Sequence, residues 1–310
     1  MTLNRDIDTH VPNQPSEPLR TVPPGQGDRV LSILRMRERS EGNAGEVSAR
    51  PPQRETVSVV IPTLNEEKNI AWVLERMPPI VDEVVLVDGH SSDRTVEVAR
   101  AIRPDIVVLT QHCRGKGDAA RVAFAAATGD LIVMIDADGS MDPHEIHRFV
   151  TPLMNGYDFV KGSRFLAGGG STDLTPLRRT GNSVLVRLTN SFFLVRFTDL
   201  CYGFLSFRRD CLPALALTAH GFEIETELVV HALKANLRIA EVPSNELPRR
   251  CGTSNLHTFR DGQRVLRTLI RERVVRHPRP VVDPIDQRVL QRWQSPAAEP
   301  TNPALSEVPR

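Results

Sequence analysis

The sequence predicts an α/β protein with a mainly parallel sheet flanked by helices. Short apolar runs alternate with segments of helical periodicity through the first half of the chain. These runs are apolar throughout, which is typical of parallel strands covered by helices on both faces. Polar residues follow several of the runs directly. Ligands of such sheets bind beyond the carboxyl ends of the strands, so those polar residues mark the expected site.

The elements follow in order from these patterns. The predicted strands are Val57–Ile61, Glu83–Val87, Ile106–Leu109, Leu131–Ile135 and Tyr157–Lys161. The predicted helices between them are Glu66–Met77, with Asn65 as N-cap, then Asp93–Ile102, Gly117–Ala127 and Pro143–Asn155. The second half is less regular, and its segments are a long apolar and basic stretch at Leu177–Phe197, a strand at Gly203–Phe207, a helix at Phe222–Ala235, a strand at Leu237–Val242 and a basic helix at Thr258–Arg276.

Proline placement predicts the domain boundaries. Of the 24 prolines, seven lie in residues 1–55 and seven in residues 276–310. We therefore expect a disordered N-terminal segment (1–55), one folded domain (56–276) and a disordered C-terminal tail (277–310).

Composition excludes several classes of protein. The 310 residues are 40% hydrophobic and 25% charged, with a net charge of +1, so a general polyanion-binding role and a nucleic-acid partner are not expected. No apolar run approaches the ~18 residues that span a membrane, and the N-terminus lacks a signal-peptide core, which predicts a cytoplasmic protein. The four cysteines show no CxxC spacing, which fits neither a zinc site nor a disulfide framework.

The sharpest chemical signal is Asp136-Ala137-Asp138, which follows the strand Leu131–Ile135. Two carboxylates one residue apart can share a hard divalent cation and its bound diphosphate. A strand-ending turn is the alternative, because Asp-Gly pairs commonly form turns.

Other polar groups converge on the same edge. Asp88 ends the second strand and is suited to reading a nucleotide base or ribose. Lys116 lies between two glycines at the start of a helix, where backbone N–H groups suit phosphate binding. Pro62, Asn65 and Glu66 follow the first strand. Helix capping would explain Asn65, but not the convergence of polar groups from three strands.

Taken together, the segments VVIPTLNEEKNI, VDGHSSDRT, GKGDAARVAFAAATGDLIVMIDADGSMDP and VKGSRF resemble the family-2 glycosyltransferases of the GT-A type. The resemblance covers about residues 57–275, and the subgroup that it indicates is the dolichol-phosphate mannosyltransferase and glucosyltransferase-like enzymes. It implies the GT-A fold and inverting transfer of a hexose from a nucleotide-sugar of the GDP-mannose or UDP-glucose type, with Mg²⁺ or Mn²⁺. In that subgroup a glutamine often stands where this chain has Ser140.

The resemblance also implies roles for individual residues. It places the nucleotide on Pro62, Asn65, Glu66 and Asp88, and the metal and diphosphate on Asp136 and Asp138. It also implies that Arg164 approaches phosphate, that Arg178 and Arg179 lie on the acceptor side, that Asp199 lies beside the sugar and acceptor, and that Glu225 or Glu227 holds sugar hydroxyls.

The acceptor decides the mechanism. A phosphate monoester is largely dianionic near pH 7 and can attack without a strong base, whereas a hydroxyl needs a positioned Asp, Glu or His. The clustered arginines favour a polyprenyl phosphate. The apolar and arginine-rich segments 182–197 and 258–276 then predict peripheral attachment to the inner face of the cell membrane. Three alternatives stay open: a soluble small-molecule acceptor, a non-catalytic nucleotide-sugar binding protein, and a phosphatase of the haloacid dehalogenase type, whose motif Leu131–Ser140 resembles. The sequence leaves the oligomeric state open.

Overall fold

The computed structural model describes residues 54–254 and 256–275. The two predicted tails lie almost wholly outside these residues. The strands are β1 (Val57–Thr63), β2 (Glu83–Asp88), β3 (Val107–Thr110), β4 (Leu131–Met134), β5 (Phe159–Ser163), β6 (Gly170–Ser171), β7 (Leu205–Arg208), β8 (Ile239–Pro243) and β9 (Asn245–Glu246). The helices are α1 (Ile70–Glu75), α2 (Thr95–Ile102), α3 (Lys116–Ala126), α4 (Ile146–Met154), α5 (Pro176–Phe193), α6 (Leu212–Leu215), α7 (Ile224–Lys234) and α8 (Thr258–Val274). Single 3₁₀ turns lie at Pro143–Glu145 and Arg209–Cys211.

Seven strands form the central sheet in the order β3-β2-β1-β4-β7-β5-β8, and β6 pairs with β9 outside it. All neighbours in the central sheet are parallel except β7, which runs antiparallel to both β4 and β5. The expected mainly parallel sheet is therefore confirmed. Because β7 is reversed, the chain enters it at the edge where β1, β2 and β4 end.

Helices cover both faces of the sheet, as the apolar strands predict. Alternate residues of β1 point to opposite sides. Val60 belongs to the same apolar cluster as Phe124 of α3, whereas Val59 and Ile61 belong to the cluster that contains Ile70 of α1. Each of these five side chains is at most 1% exposed.

The predicted start of the first helix is wrong. Helix α1 begins at Ile70 instead of Glu66, and its N-cap residue is Asn69. Asn65 adopts a left-handed conformation with φ of 56°. Its side-chain oxygen accepts a hydrogen bond from Ser92 N at 2.8 Å, so it ties two loops together instead of capping a helix.

The described part of the chain contains four free cysteines. No helix in it is both long enough and apolar enough to span a lipid bilayer.

Candidate active site

A cavity of about 370 Å³ opens at the edge where β1, β2 and β4 end. This is the edge at which the parallel-sheet topology predicts a ligand site. Most of the residues singled out in the sequence line this cavity: Pro62, Glu66, Lys116, Asp136, Ala137, Asp138, Arg164, Arg178 and Glu225. Four others lie behind or beside the lining: Asn65, Asp88, Arg179 and Asp199.

Lys116 connects two carboxylates inside the cavity. Its Nζ atom lies 2.6 Å from Oδ1 of Asp136 and 2.7 Å from Oε1 of Glu225. Burial by itself would lower the pKa of Lys116, but the two carboxylates hold that pKa well above its usual value. Burial raises the pKa of Asp136 to about 6, in spite of the opposing charge of Lys116, and the nearby Asp138 and Glu225 add to this rise. Lys116 is therefore a permanent positive charge at the first aspartate of the Asp136–Asp138 pair.

Gly203 makes room for this ion pair. A Cβ atom added to Gly203 would lie 2.6 Å from Oε1 of Glu225 and 2.8 Å from Nζ of Lys116. The backbone at this position therefore approaches the ion pair as closely as a residue without a side chain allows.

Asp138 has a different set of partners. Its Oδ1 atom accepts hydrogen bonds from the backbone N–H and the hydroxyl of Ser140, at 3.0 and 2.7 Å. Its Oδ2 atom lies 3.2 Å from Nη1 of Arg249. Ser140 thus orients the second aspartate at the position where the resembled subgroup often carries a glutamine.

Arg249 is a site residue that the sequence analysis missed. Its guanidinium joins Asp138 to Glu66, whose Oε1 atom lies 2.5 Å from Nη2, and its Nε donates to the carbonyl of Cys251. Burial raises the pKa of Glu66, while hydrogen bonds from Asn69 and Arg249 oppose the rise. The only sequence signal is a pair of arginines in a segment without periodicity, so only the tertiary structure brings Arg249 to the cavity.

The side chains of Asn65 and Asp88 stabilise the loops that border the cavity. Both oxygens of the Asp88 carboxylate accept from Ser91 N, at 3.2 and 3.1 Å. The backbone N–H of Gly89 donates to Thr63 O at 2.7 Å, and Gly89 itself lines the cavity. Direct contacts from Asn65 and Asp88 to a nucleotide stay predictions, since the structure gives both side chains a role in loop geometry.

Arg164 and Asp199 form a buried ion pair. Arg164 donates from Nε and Nη2 to the Asp199 carboxylate, at 2.7 and 3.0 Å, and from Nη1 to both oxygens of Glu246, at 3.1 Å. Nη2 also donates to the carbonyl of Cys201. The side chain of Asp199 is fully buried, and although burial alone would raise its pKa, Arg164 holds that pKa below its usual range. Every guanidinium nitrogen of Arg164 thus has a protein acceptor, and its predicted contact with phosphate stays a prediction.

The remaining predicted residues differ in whether they line the cavity. Arg178 lines the cavity and lies 3.7 Å from the carboxylate of Asp173, which also lines it. Arg179 is exposed and lies over the ring of Phe165, outside the lining. Glu227 is fully buried and accepts from the backbone of the 218–219 segment, so of the two glutamates on α7 only Glu225 reaches the cavity.

Comparison with known proteins identifies the class of enzyme. The family model described as "Glycosyl transferase family 2" matches residues 58–215, roughly half of the chain. The glycosyltransferase AglJ of Haloferax volcanii is 32% identical over 73% of this chain and 75% of that protein. A dolichyl-phosphate hexose transferase of the same organism is 30% identical over 69% of this chain and 92% of that protein. The chain belongs to glycosyl transferase family 2, which excludes the haloacid dehalogenase alternative.

A third relative and two crystal structures extend the comparison. The dolichol-phosphate mannosyltransferase of Pyrococcus furiosus is 30% identical over 64% of this chain and 59% of that protein. Glucosyl-3-phosphoglycerate synthase from Mycobacterium tuberculosis, in complex with Mg²⁺ and UDP, has a TM-score of 0.55 and 26% identity, covering 70% of this chain and 79% of that chain. The same enzyme with Mn²⁺, UDP and phosphoglyceric acid has a TM-score of 0.57 and 23% identity, covering 74% of this chain and 85% of that chain. These neighbours confirm the GT-A-like fold.

Proposed function

We propose that this glycosyltransferase moves a hexose, with inversion, from a nucleotide-sugar to a polyprenyl or dolichyl phosphate. The observation that supports the proposal is the layout of one cavity. Asp136, Asp138 and Lys116 line it at the ends of the central strands, and Arg178 lines it on α5. A donor diphosphate fits the first group, and an acceptor phosphate fits the second.

The first group suits Mg²⁺ or Mn²⁺. Asp136 and Asp138 present carboxylate oxygens, the ligands that hard cations prefer, from positions one residue apart just beyond the end of β4. A divalent cation held there would stabilise the charge of the leaving diphosphate. Lys116 and Arg249 lie within 3.2 Å of these two aspartates and add positive charge on the same side of the cavity.

The ion pairs of Asp199 and Glu225 support a phosphate acceptor. Asp199 is buried against Arg164, and Glu225 is paired with Lys116, so neither is placed as a general base. A phosphate dianion carries its own nucleophilic oxygen and needs no base of this kind. Arg178 offers the planar guanidinium that binds phosphate with two parallel hydrogen bonds.

A soluble hydroxyl acceptor is the second candidate, and one residue favours it. The side chain of Asp173 is 45% exposed and lines the cavity, so it is placed to accept a proton from a hydroxyl. A structural neighbour that is 25% identical, glucosyl-3-phosphoglycerate synthase, is described in complex with Mn²⁺, UDP-glucose and phosphoglyceric acid, which is a small soluble molecule.

The surface beside the cavity is consistent with a lipid. Leu177 precedes Arg178 and is 53% exposed, and Phe259 follows the lining residue Thr258 and is 74% exposed. Further along α8, Ile270 and Val274 are 50% and 76% exposed, and each is next to an arginine of the same helix. Exposed apolar side chains interleaved with arginines suit an anionic bilayer surface, where each arginine would contribute ~1 kcal/mol.

A substrate panel tests the proposal. Purified protein with Mn²⁺ is mixed with GDP-mannose, UDP-glucose and other nucleotide-sugars, each with undecaprenyl or dolichyl phosphate or with 3-phosphoglycerate, and the product mass is measured. We expect a hexosyl phospholipid. Asp173→Asn should leave that activity within about twofold, since no base is needed. Product formed only on a hydroxyl acceptor, with a large loss in Asp173→Asn, would establish the second candidate instead.

Liposome flotation tests the membrane surface separately. Binding to anionic vesicles should fall with salt and with Arg267→Glu, because Arg267 is exposed on α8. Arg271 is a poor probe, since it is paired with Glu227 and Glu272. Arg100→Glu is the matched control, because Arg100 is an exposed arginine on α2, which packs on the opposite face of the sheet from α8. Equal loss in both variants would contradict docking through α8.

A further inference from the structure

The segment Thr198–Gly203, here called the wall segment, forms one side of the cavity without being a helix or a strand. Its residues Cys201, Tyr202 and Gly203 line the cavity. The backbone N–H groups of its first four residues, Thr198 to Cys201, donate to only two side chains. Glu241 accepts from the first two, and Asn182 from the next two.

Glu241 is the charged member of this support. It lies on β8, is 3% exposed, and is not part of the cavity lining. Its two oxygens lie 3.1 and 3.0 Å from Thr198 N, and each lies 3.2 Å from the Thr198 hydroxyl. Asp199 N donates to Oε1 at 3.3 Å. A buried carboxylate is unfavourable unless such donors stabilise it, so these contacts define one arrangement of the wall segment.

A second buried charge holds the other end of the wall segment. Lys161 is fully buried on β5, in register with Glu241 on the neighbouring strand. Its Nζ atom donates to Tyr202 O at 2.9 Å. A cation and an anion from two adjacent strands therefore hold the two ends of the same segment.

The wall segment in turn fixes two parts of the cavity. Asp199 and the carbonyl of Cys201 both bind the guanidinium of Arg164. Gly203 leaves the space that the Lys116–Glu225 ion pair occupies. A shift of the wall segment would therefore move Arg164 and close the space beside Lys116 together.

We propose that Glu241 is a positioning residue for glycosyl transfer, which acts through the wall segment on Arg164 and on the space beside Gly203. It touches neither donor nor acceptor. The proposal requires only the transferase activity, with whichever donor and acceptor the substrate panel identifies.

The proposal also predicts that the support of the wall segment depends on pH, through the charge of Glu241. Burial raises the pKa of Glu241 to about 7, although hydrogen bonds from Thr198 and Asp199 and the charge of Lys161 oppose the rise. The other charged groups beside it are Asp199 and its partner Arg164, which neutralise each other. A protonated Glu241 accepts fewer hydrogen bonds, so the support should weaken as the pH falls through about 7.

The test compares Glu241→Gln with Glu83→Gln. Glu83 is a matched control, because it also accepts from a backbone N–H and from hydroxyls, at Thr128 and Ser58, but at the start of β2. At pH 8, amide hydrogen exchange in residues 198–203 should become at least about tenfold faster in Glu241→Gln and stay unchanged in Glu83→Gln. This measurement needs no substrate, so its failure is distinct from failure of the proposed function. Unchanged exchange in Glu241→Gln would overturn the proposal.

Steady-state kinetics provide a second test of the proposal. In Glu241→Gln, kcat should fall roughly 10- to 100-fold at pH 8, and the Kd of UDP or GDP with Mn²⁺ should weaken by no more than about tenfold as the space beside Lys116 closes. The ratio of wild-type to variant kcat should shrink toward one at pH 6, because Glu241 is then protonated in the wild type. A ratio that does not depend on pH, or an equal loss in Glu83→Gln, would overturn the role. If Glu241→Gln does not fold, Thr198→Val takes its place. It removes the hydroxyl that donates to Glu241, together with its hydrogen bond to Ser163, and should move the rise in kcat to higher pH. An unmoved rise would overturn the role.

Discussion

Two charged pairs at the cavity differ in how they are held: Asp136 with Asp138, here called the donor end after its proposed role, and Arg164 with Asp199, here called the acceptor end. At the donor end, the side chains of Asp136 and Asp138 are 27% and 21% exposed, and each has a basic partner that also lines the cavity. At the acceptor end, the side chains of Arg164 and Asp199 are 4% and 0% exposed, and they bind each other. The donor-end charges can exchange a protein partner for a ligand, whereas those at the acceptor end are part of the core.

Charged side chains have two separate roles in this fold, one in ligand binding and one in stability. Partly exposed carboxylates contribute little to stability, because water also solvates them. Buried pairs become strongly destabilising when one partner is lost, because the other charge stays buried without compensation. Mutations at the two ends should therefore separate activity from stability.

The largest effect is expected at the donor end. Asp138→Asn should lower kcat/KM by about 1000-fold, because a carboxylate that stabilises the leaving diphosphate is lost. The melting temperature should stay within about 2 °C, and removal of metal by EDTA should inactivate the wild type until Mn²⁺ is added back. Steady-state kinetics and thermal unfolding measure both. Full activity in EDTA, or a clear loss of stability in the variant, would contradict a role of Asp138 in activity alone.

Loss of a charge at the acceptor end should mainly reduce the stability of the protein. Asp199→Asn leaves Glu246 as the remaining carboxylate partner of the buried Arg164 guanidinium. Because Glu246 compensates only part of the lost charge, the free energy of unfolding should fall by about 2–3 kcal/mol. Urea unfolding measures this change. Activity should fall as well, since Arg164 lines the cavity. A stability change below about 1 kcal/mol would mean that the acceptor-end charges are as independent of the fold as those at the donor end.

A smaller effect is expected where the two ends meet. Gly203→Ala would place a methyl group 2.6 Å from Glu225 and 2.8 Å from Lys116, so the ion pair has to shift. We expect about a tenfold weaker Kd for UDP or GDP with Mn²⁺, measured by calorimetry, because Lys116 moves away from Asp136. Gly181→Ala on α5 is the control, since its added Cβ would meet no atom within 4 Å. Matching nucleotide affinities in the two variants would contradict the role of Lys116.

The smallest effect lies away from the cavity, on α8. Burial alone would raise the pKa of Glu272, but His231 and Lys234, at 3.1 and 2.5 Å, hold it at about 2. Because this pKa is below the unfolded value of ~4.3, the stabilisation is complete above that value and is lost as the pH falls toward 2. Glu272→Gln should therefore reduce stability by about 1–3 kcal/mol at pH 7, and by less below about pH 4. Urea unfolding at pH 7, 4 and 3 would show a constant difference if the interpretation is wrong.

The sequence predicted that Asp136, Asp138 and Glu66 would lie at one sheet edge, because each follows a strand. The parallel strands β1 and β4 end at that edge, so the residues that follow them lie close together. Lys116 was found from its glycines at a helix start. The alternation of strands and helices also determined the fold class.

Several contacts at both ends were decided only by tertiary structure. Nothing in the local pattern indicates that Arg249 reaches Asp138, 111 residues earlier, or that Glu241 supports the wall segment. The reversal of β7 places that segment at the active edge, and periodicity carries no information about strand order. Apolar spacing and turn residues report local backbone geometry, so the sequence by itself determined the elements and the donor-end motif. The partner of a buried charge is determined only when distant segments pack together and exclude water. For that reason only the folded structure determined these partners.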